Sequence, residues 1–144
     1  MYQPYAVFQY AKSPDQAQTT PVHHPVVVVG AGPVGLHVSI DLAQRGVPVV
    51  LLDDNDRIGE GSRAICFSKK ALEILDRIGS GEAMRDAGLS WSRGRVFQRE
   101  NELYSFDLLP EAGHKMPAFI NLQQFVLEKE LVDRALSTAN LDLR

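Results

Sequence analysis

Gly30-Ala31-Gly32-Pro33-Val34-Gly35 constrains this chain more than any other stretch. It directly follows Val26-Val27-Val28-Val29, a β-branched run that predicts a strand buried on both faces, as in a parallel sheet. Each glycine has its own reason to be there. Gly30 permits a tight turn out of the strand, Gly32 leaves the backbone open to close approach, and Gly35 lets a helix pack tightly on the strand. Pro33 suits the first helical turn, where its missing N–H costs nothing. Val34, Leu36, Val38, Ile40, Leu42 and Ala43 predict a helix over 33–45. Arg45-Gly46 closes it, with glycine at the C′ position. Val47 to Leu52 reads as a second apolar strand ending in Asp53-Asp54. Strand, helix and strand within about 30 residues make a right-handed βαβ unit.

The G-x-G-x-x-G pattern alone is a weak signal; its context makes it a strong one. It leaves a strand, opens a helix and is followed by an acidic residue, Asp53, at the end of the next strand. A helix N-terminus offers free N–H groups and roughly half a positive charge to phosphates. A carboxylate at position 53 can accept hydrogen bonds from both ribose hydroxyls of an adenosine and would repel a 2′-phosphate. Residues 26–54 therefore predict an adenine dinucleotide site for FAD or NAD rather than NADP. Gly30, Ala31, Gly32, Pro33, Val34, Gly35 and Asp53 are its expected cofactor-binding residues.

Residues 1–25 hold Pro4, Pro14, Pro21 and Pro25 among polar residues and read as an extended leader. Its aromatics Tyr2, Tyr5, Phe8 and Tyr10 give it apolar surface to pack on the domain; the alternative reading is a disordered tail. Beyond Gly61, Ser68 is placed to cap a helix over 69–78 carrying Ala71, Leu72, Ile74, Leu75 and Ile78. A short helix near 81–87 follows. Arg95–Gln98 and Leu103–Phe106 flank the polar 99–102 and predict a β-hairpin. Residues 110–118 read as a loop. Asn121 is placed to cap a helix over 122–138 with Phe125, Leu127, Leu131, Val132 and Leu136 inward. Leu141–Arg144 starts a further strand. The expected architecture is α/β: a Rossmann-like βαβ unit with a parallel sheet and a small hairpin insertion, forming an incomplete domain. The expected division is a leader, 1–25, and the front part of a nucleotide-binding domain, 26–144.

Net charge is −3, from 15 basic and 18 acidic side chains. No basic cluster supplies the phosphate-binding face that nucleic acid requires. No apolar run approaches the ~20 residues of a membrane span, and the N-terminus lacks the basic and apolar regions of a signal peptide. The single cysteine, Cys66, cannot form an internal disulfide, which fits a reducing compartment; the expected location is cytoplasmic. Cys66, Trp91 and the phenylalanines read as core. His23, His24, His37 and His114 read as structural or surface residues, and no metal site is expected. Asp54, Asp56 and Arg57 read as a solvated turn. Spacing alone makes Arg63 a surface arginine, although it could reach a phosphate as a bidentate donor.

Three segments together carry a resemblance. They are Val27–Leu36 with Asp53, Ser62-Arg63-Ala64-Ile65, and Gln124-Phe-Val-Leu127-Glu128-Lys-Glu-Leu131. From Val26 to Leu143 the chain resembles the N-terminal part of the FAD-dependent aromatic hydroxylases, the single-component flavoprotein monooxygenases related to p-hydroxybenzoate and 3-(3-hydroxyphenyl)propionate hydroxylases. The first segment is shared with many nucleotide enzymes; the second and third, in this order, are more specific. The resemblance implies that Arg63 contacts the FAD pyrophosphate and ribityl region. It also implies that Gln124, with Gln123 beside it, hydrogen-bonds the cofactor from the start of its helix. Members usually carry Glu where this chain has Asp53, which is one methylene shorter. The implied chemistry is reduction of FAD by NADPH or NADH, activation of O₂, and transfer of one oxygen to a small phenolic substrate. The later family motifs and the substrate-binding sheet would lie beyond residue 144. No catalytic residue is assigned, and the isolated chain is expected to have negligible hydroxylase activity. The competing readings are an NAD-dependent oxidoreductase and a truncated, non-catalytic dinucleotide-binding module.

Overall fold

The computed structural model describes residues 7–59, 64–109 and 111–144. The chain divides into two compact units: residues 1–62 with 124–144, and residues 63–123.

The first unit is built on a parallel sheet. Its elements are β1 (Val26–Val29), α1 (Pro33–Gln44), β2 (Val49–Leu52), α4 (Gln124–Ser137) and β8 (Leu141–Leu143). The sheet order is β1-β2-β8, with Val26 opposite Val49 and Val49 opposite Leu141. Parallel neighbours require crossovers; α1 makes one, and α4 leads into β8 to complete the other. Leu36, Ile40 and Ala43 form one buried stripe on α1, and Leu127, Leu131, Val132 and Ala135 another on α4. These two helices pack on each other, α1 also against β2 and α4 against β8; Val49, Val50 and Leu51 of β2 are buried.

The expectation of burial on both faces is met by β2 and not by β1. In β1, Val26 and Val28 are half-buried, while Val27 is 49% and Val29 82% exposed. The reason is position: β1 is a sheet edge, and only its Val28 row faces α1. The second strand starts at Val49 rather than Val47. Pro48 has no N–H to give to a ladder, and the Val47 N–H instead bonds the Leu42 carbonyl at the helix end (3.1 Å). Gly46, at φ 83°, closes α1 as expected. Leu136 is 61% exposed rather than inward, because it stands outside the α4 stripe.

The leader is tied down along its described part. Val7 bridges Arg57, and the Phe8 N–H bonds the Asp56 carbonyl (2.6 Å). Ser13 caps a 3₁₀ turn over Pro14–Ala17. From that turn Asp15 holds both His24 (2.7 Å) and Arg144. These partners keep the Asp15 carboxyl below its usual range, the Arg144 hydrogen bond contributing most. Tyr10 is 79% exposed, its hydroxyl donating to Gln16.

The second unit contains β3 (Cys66–Ser68), α2 (Lys69–Arg77), α3 (Gly81–Ala87), β4 (Leu89–Trp91), β5 (Arg93–Gln98), β6 (Asn101–Asp107) and β7 (Phe119–Asn121). Ser68 caps α2 as expected, accepting from the Ala71 N–H at 3.3 Å. Leu72, Leu75, Ile78, Met84, Met116, Ile120 and Leu122 are buried apolar residues among those described. The hairpin β5–β6 forms with a tighter turn than expected, Arg99-Glu100, in which Arg99 takes φ 53°.

The antiparallel sheet β3-β7-β4 is a correction to the sequence reading. Its strands have three residues each, too short to show a period of two. Asn121 ends β7 instead of capping a helix, and its Oδ1 accepts from the Trp91 indole N–H at 3.1 Å; the helix starts later, at Gln124. Cys66 opens edge strand β3 and is exposed, not core. The aromatics are not core either. Trp91 stacks on Phe119 at 5.0 Å, both half-buried. Phe97 and Phe106 are 53% and 41% exposed, because two strands alone bury neither face. The Phe106 ring lies over Gly94, where a Cβ would meet it at 2.3 Å.

Two substitutions test this packing by urea unfolding. Leu131→Ala, at a fully buried position, is expected to cost about 2–5 kcal/mol. Ser68→Ala is expected to cost about 1 kcal/mol through loss of the α2 cap.

Candidate functional site

The C-terminal ends of β1 and β2 lie side by side, so the residues that follow each strand meet. Gly30 takes φ 103°, open in practice only to glycine, and its N–H bonds the Leu52 carbonyl at 2.7 Å. Asp53 reaches across from the end of β2: its Oδ2 accepts the Ala31 N–H at 2.6 Å. Its Oδ1 accepts the Asn55 N–H (2.9 Å) and side-chain amide (2.8 Å). Partial burial pushes the Asp53 carboxyl up. The hydrogen bonds from the Asn55 N–H, the Ala31 N–H and the Asn55 side chain outweigh it and hold the group below the ordinary carboxylate range.

The three glycines separate cleanly. Gly30 is required by its dihedral angle. Gly35 is required by packing: a Cβ there would stand 1.9 Å from the Gly30 carbonyl oxygen. Gly32 is required by neither. Its φ of −73° and ψ of 178° suit any residue, and a Cβ would meet no atom of the described residues within 4 Å. Gly32 is also the N-cap of α1, and it caps with no side chain. Pro33 follows in the first turn, and the first ladder bond runs from the Leu36 N–H to the Gly32 carbonyl (2.9 Å). First-turn N–H groups have no acceptor within their own helix. The loop thus combines a bare helix N-terminus, a surface cleared of side chain at Gly32, and a carboxylate one strand away. That arrangement suits a phosphate and its attached ribose.

Gln124 is the first residue of α4. Because α4 leads into a strand parallel to β2, it starts at the same sheet end as the glycine loop. Its Nε2 donates to Glu128 Oε1 at 2.6 Å, and Glu128 Oε2 accepts the Gly59 N–H at 3.2 Å. Gln123 precedes the helix and is exposed. Arg63 lies outside the described residues. The structure therefore brings Gly30, Ala31, Gly32, Pro33, Val34, Gly35 and Asp53 into one loop cluster, and Gln124 starts the helix that runs back from that end. Sequence reasoning missed two features here. One is the Asp53–Ala31 clamp. The other is Glu128, a carboxylate only 8% exposed. It stood in the helix segment quoted for the resemblance, four residues after Gln124, and the charged Lys129 and Glu130 beside it gave no sign that it is the buried one. Among the described residues no group of three or more His, Cys, Asp or Glu is placed to hold a metal, and no helix is long and apolar enough to cross a membrane.

Strand, glycine loop, helix and acid-ended strand define a dinucleotide-binding α/β fold. Residues 23–144 match the family model described as "FAD binding domain", and the chain belongs to that family. It is 30% identical over 125 residues to 6-hydroxy-3-succinoylpyridine 3-monooxygenase of Pseudomonas putida, covering 83% of this chain and 31% of that protein. It is 27% identical over 117 residues to a flavin-dependent monooxygenase of Mycobacteroides abscessus, covering 76% of this chain and 25% of that one. The crystal structure of p-nitrophenol 4-monooxygenase from Pseudomonas putida superimposes with a TM-score of 0.75 at 25% identity, over 84% of this chain and 31% of that one. The chain thus spans about a quarter to a third of the length of these relatives.

The loop geometry predicts unequal costs at two glycines. Gly35→Ala is expected to destabilise the fold by about 2 kcal/mol or more, since backbone must shift. Gly32→Ala is expected to cost under about 1 kcal/mol, the N-cap difference alone; urea midpoints compare them. The lowered pKa of Asp53 fixes a pH dependence. Its ionised form is favoured by folding, so its contribution is complete above the unfolded value, about pH 4, and is lost as pH falls through the folded value. The stability advantage of the native chain over Asp53→Asn is expected to shrink in urea titrations below about pH 4.

Proposed function

We propose that this domain holds FAD for an NAD(P)H-dependent monooxygenase that hydroxylates a phenolic aromatic compound. The observation that carries the reading is Gly32. Neither its backbone conformation nor its packing calls for a glycine, and the cleared surface lies at a bare helix N-terminus. In this reading Gly30, Ala31, Gly32, Pro33, Val34 and Gly35 form the pyrophosphate cradle, with backbone N–H groups as donors. Asp53 accepts from the adenosine ribose. A carboxylate has about four acceptor positions, and three are used internally. The ribose takes the fourth or displaces the Asn55 amide. Arg63 serves the pyrophosphate and ribityl chain, and Gln124 hydrogen-bonds the cofactor from α4.

When bound, FAD supplies electron transfer from a reduced nicotinamide and activation of O₂ for oxygen insertion. The chain's own part is to bind and orient: the helix N-terminus neutralises phosphate charge, and Asp53 fixes the adenosine end. The phenolic class is supported by two of the relatives above, whose names specify a hydroxyl-bearing aromatic ring as substrate. For these residues alone we expect cofactor binding without turnover of a phenol. The leader 1–25 and the domain 26–144 are proposed as the functional division, in a cytoplasmic setting.

Absorbance and fluorescence titrations with FAD and NAD test the reading. Saturable FAD binding with little for NAD is expected. Asp53→Ala is expected to weaken FAD binding by ~1–3 kcal/mol, the value of hydrogen bonds to a charged group, and Gly32→Val to abolish it. Preference for NAD, or normal FAD binding by Gly32→Val, would overturn it.

A further inference from the structure

The leader grips the turn that begins at Asp53 from two sides. The first grip is direct: the Phe8 N–H bonds the Asp56 carbonyl at 2.6 Å, and Val7 forms an antiparallel bridge to Arg57. The second runs through Arg144. Asp15 holds the Arg144 guanidinium, and the Arg144 backbone closes on the end of β2. Its N–H bonds the Leu51 carbonyl at 2.8 Å, and its carbonyl accepts the Asp53 N–H at 3.0 Å. The Asp53 side chain is bound by Ala31 and Asn55, so its backbone is the part that the leader reaches.

Asp15 has a second partner, His24 Nε2 at 2.7 Å. His24 stands just ahead of β1 and Arg144 just after β8. One leader carboxylate therefore links the segments flanking both edge strands of the β1-β2-β8 sheet. Arg144 lies on the face turned away from α1. Val28 meets α1 at Gly35, Leu51 and Leu143 share its row, and alternation sends Val50, Asp142 and Arg144 to the other side. The bond from Arg144 to Asp142, at 2.7 Å, agrees. The Arg144 side chain is only 19% exposed and that of Asp15 28%, so water screens their attraction less than at an open surface. β8 is an edge strand of three residues, and such an end frays unless something ties it down.

We infer that the leader is a positioning strap for the ribose-binding carboxylate: Asp15 through Arg144, and Phe8 through Asp56, hold the Asp53 turn in the shape that meets the adenosine end of FAD. The inference rests on the FAD reading above. Asp15 acts through Arg144 and is a positioning residue, not a cofactor ligand.

The test combines amide hydrogen exchange without cofactor and FAD titrations, both on the 144-residue chain. Asp15→Asn keeps the size of the side chain and removes its charge. It is expected to speed exchange at the Asp53 amide while leaving Leu131, in the middle of α4, unchanged. FAD binding is expected to weaken about two- to fivefold, the range for an ion pair that is partly exposed. Asp15→Glu, which retains the charge, is expected to recover part of both effects. In an Asp53→Ala background Asp15→Asn is expected to lose most of its effect on FAD, since coupled residues are non-additive. Equal losses in both backgrounds, or exchange that quickens alike at Asp53 and Leu131, would mean a merely structural role and would overturn the inference. FAD binding that falls with Asp53→Ala and ignores Asp15→Asn would overturn it alone. Failure of the native chain to bind FAD would overturn the cofactor reading and this inference with it.

Discussion

The seating of α1 on β1 governs the first unit. The Gly35 backbone lies so close to the Gly30 carbonyl that a single methyl group would stand 1.9 Å from its oxygen. That approach sets where the helix begins and how its Leu36, Ile40 and Ala43 stripe meets the sheet. It also sets which N–H groups face outward from the glycine loop. Asp53 completes the arrangement from the neighbouring strand by bonding Ala31. The open surface of the glycine loop is thus a by-product of tight strand–helix packing, held by one carboxylate from the neighbouring strand.

The parts legible in the sequence were those with a local cause. Gly30 through Gly35, Pro33 and Gly46 declared the turn and both ends of α1 because each answers a backbone demand within a few residues. Ser68 declared the start of α2 in the same way. The parts not legible depend on partners distant in sequence. β3, β4 and β7 are strands only because they pair with each other, and Asn121 looked like a cap until Trp91 claimed its side chain. Composition misplaced Cys66, Phe97 and Phe106, because an apolar residue is buried only if something covers it. In the site, Gly32 and Asp53 were readable from the motif. Glu128 was hidden because burial, and not residue type, gives it meaning.

Two carboxylates in the first unit illustrate different uses of the same group. Asp53 is half-buried and shared between loop donors, so its ionisation responds to pH in the acid range. Glu128 is buried between a side-chain amide and a backbone N–H and ties α4 to the stretch after β2. One stiffens the glycine loop; the other holds a helix side chain and a backbone amide together.

The order of the strands has a kinetic consequence. β2 pairs with β8, so Val49 meets Leu141 across most of the chain, with the whole second unit between them. Closing so long a loop is entropically slow. The intervening residues shorten it by folding first: the β5–β6 hairpin and the α2–α3 pair need only near neighbours. The β2–β8 pairing is therefore expected to form late in folding, after those local contacts.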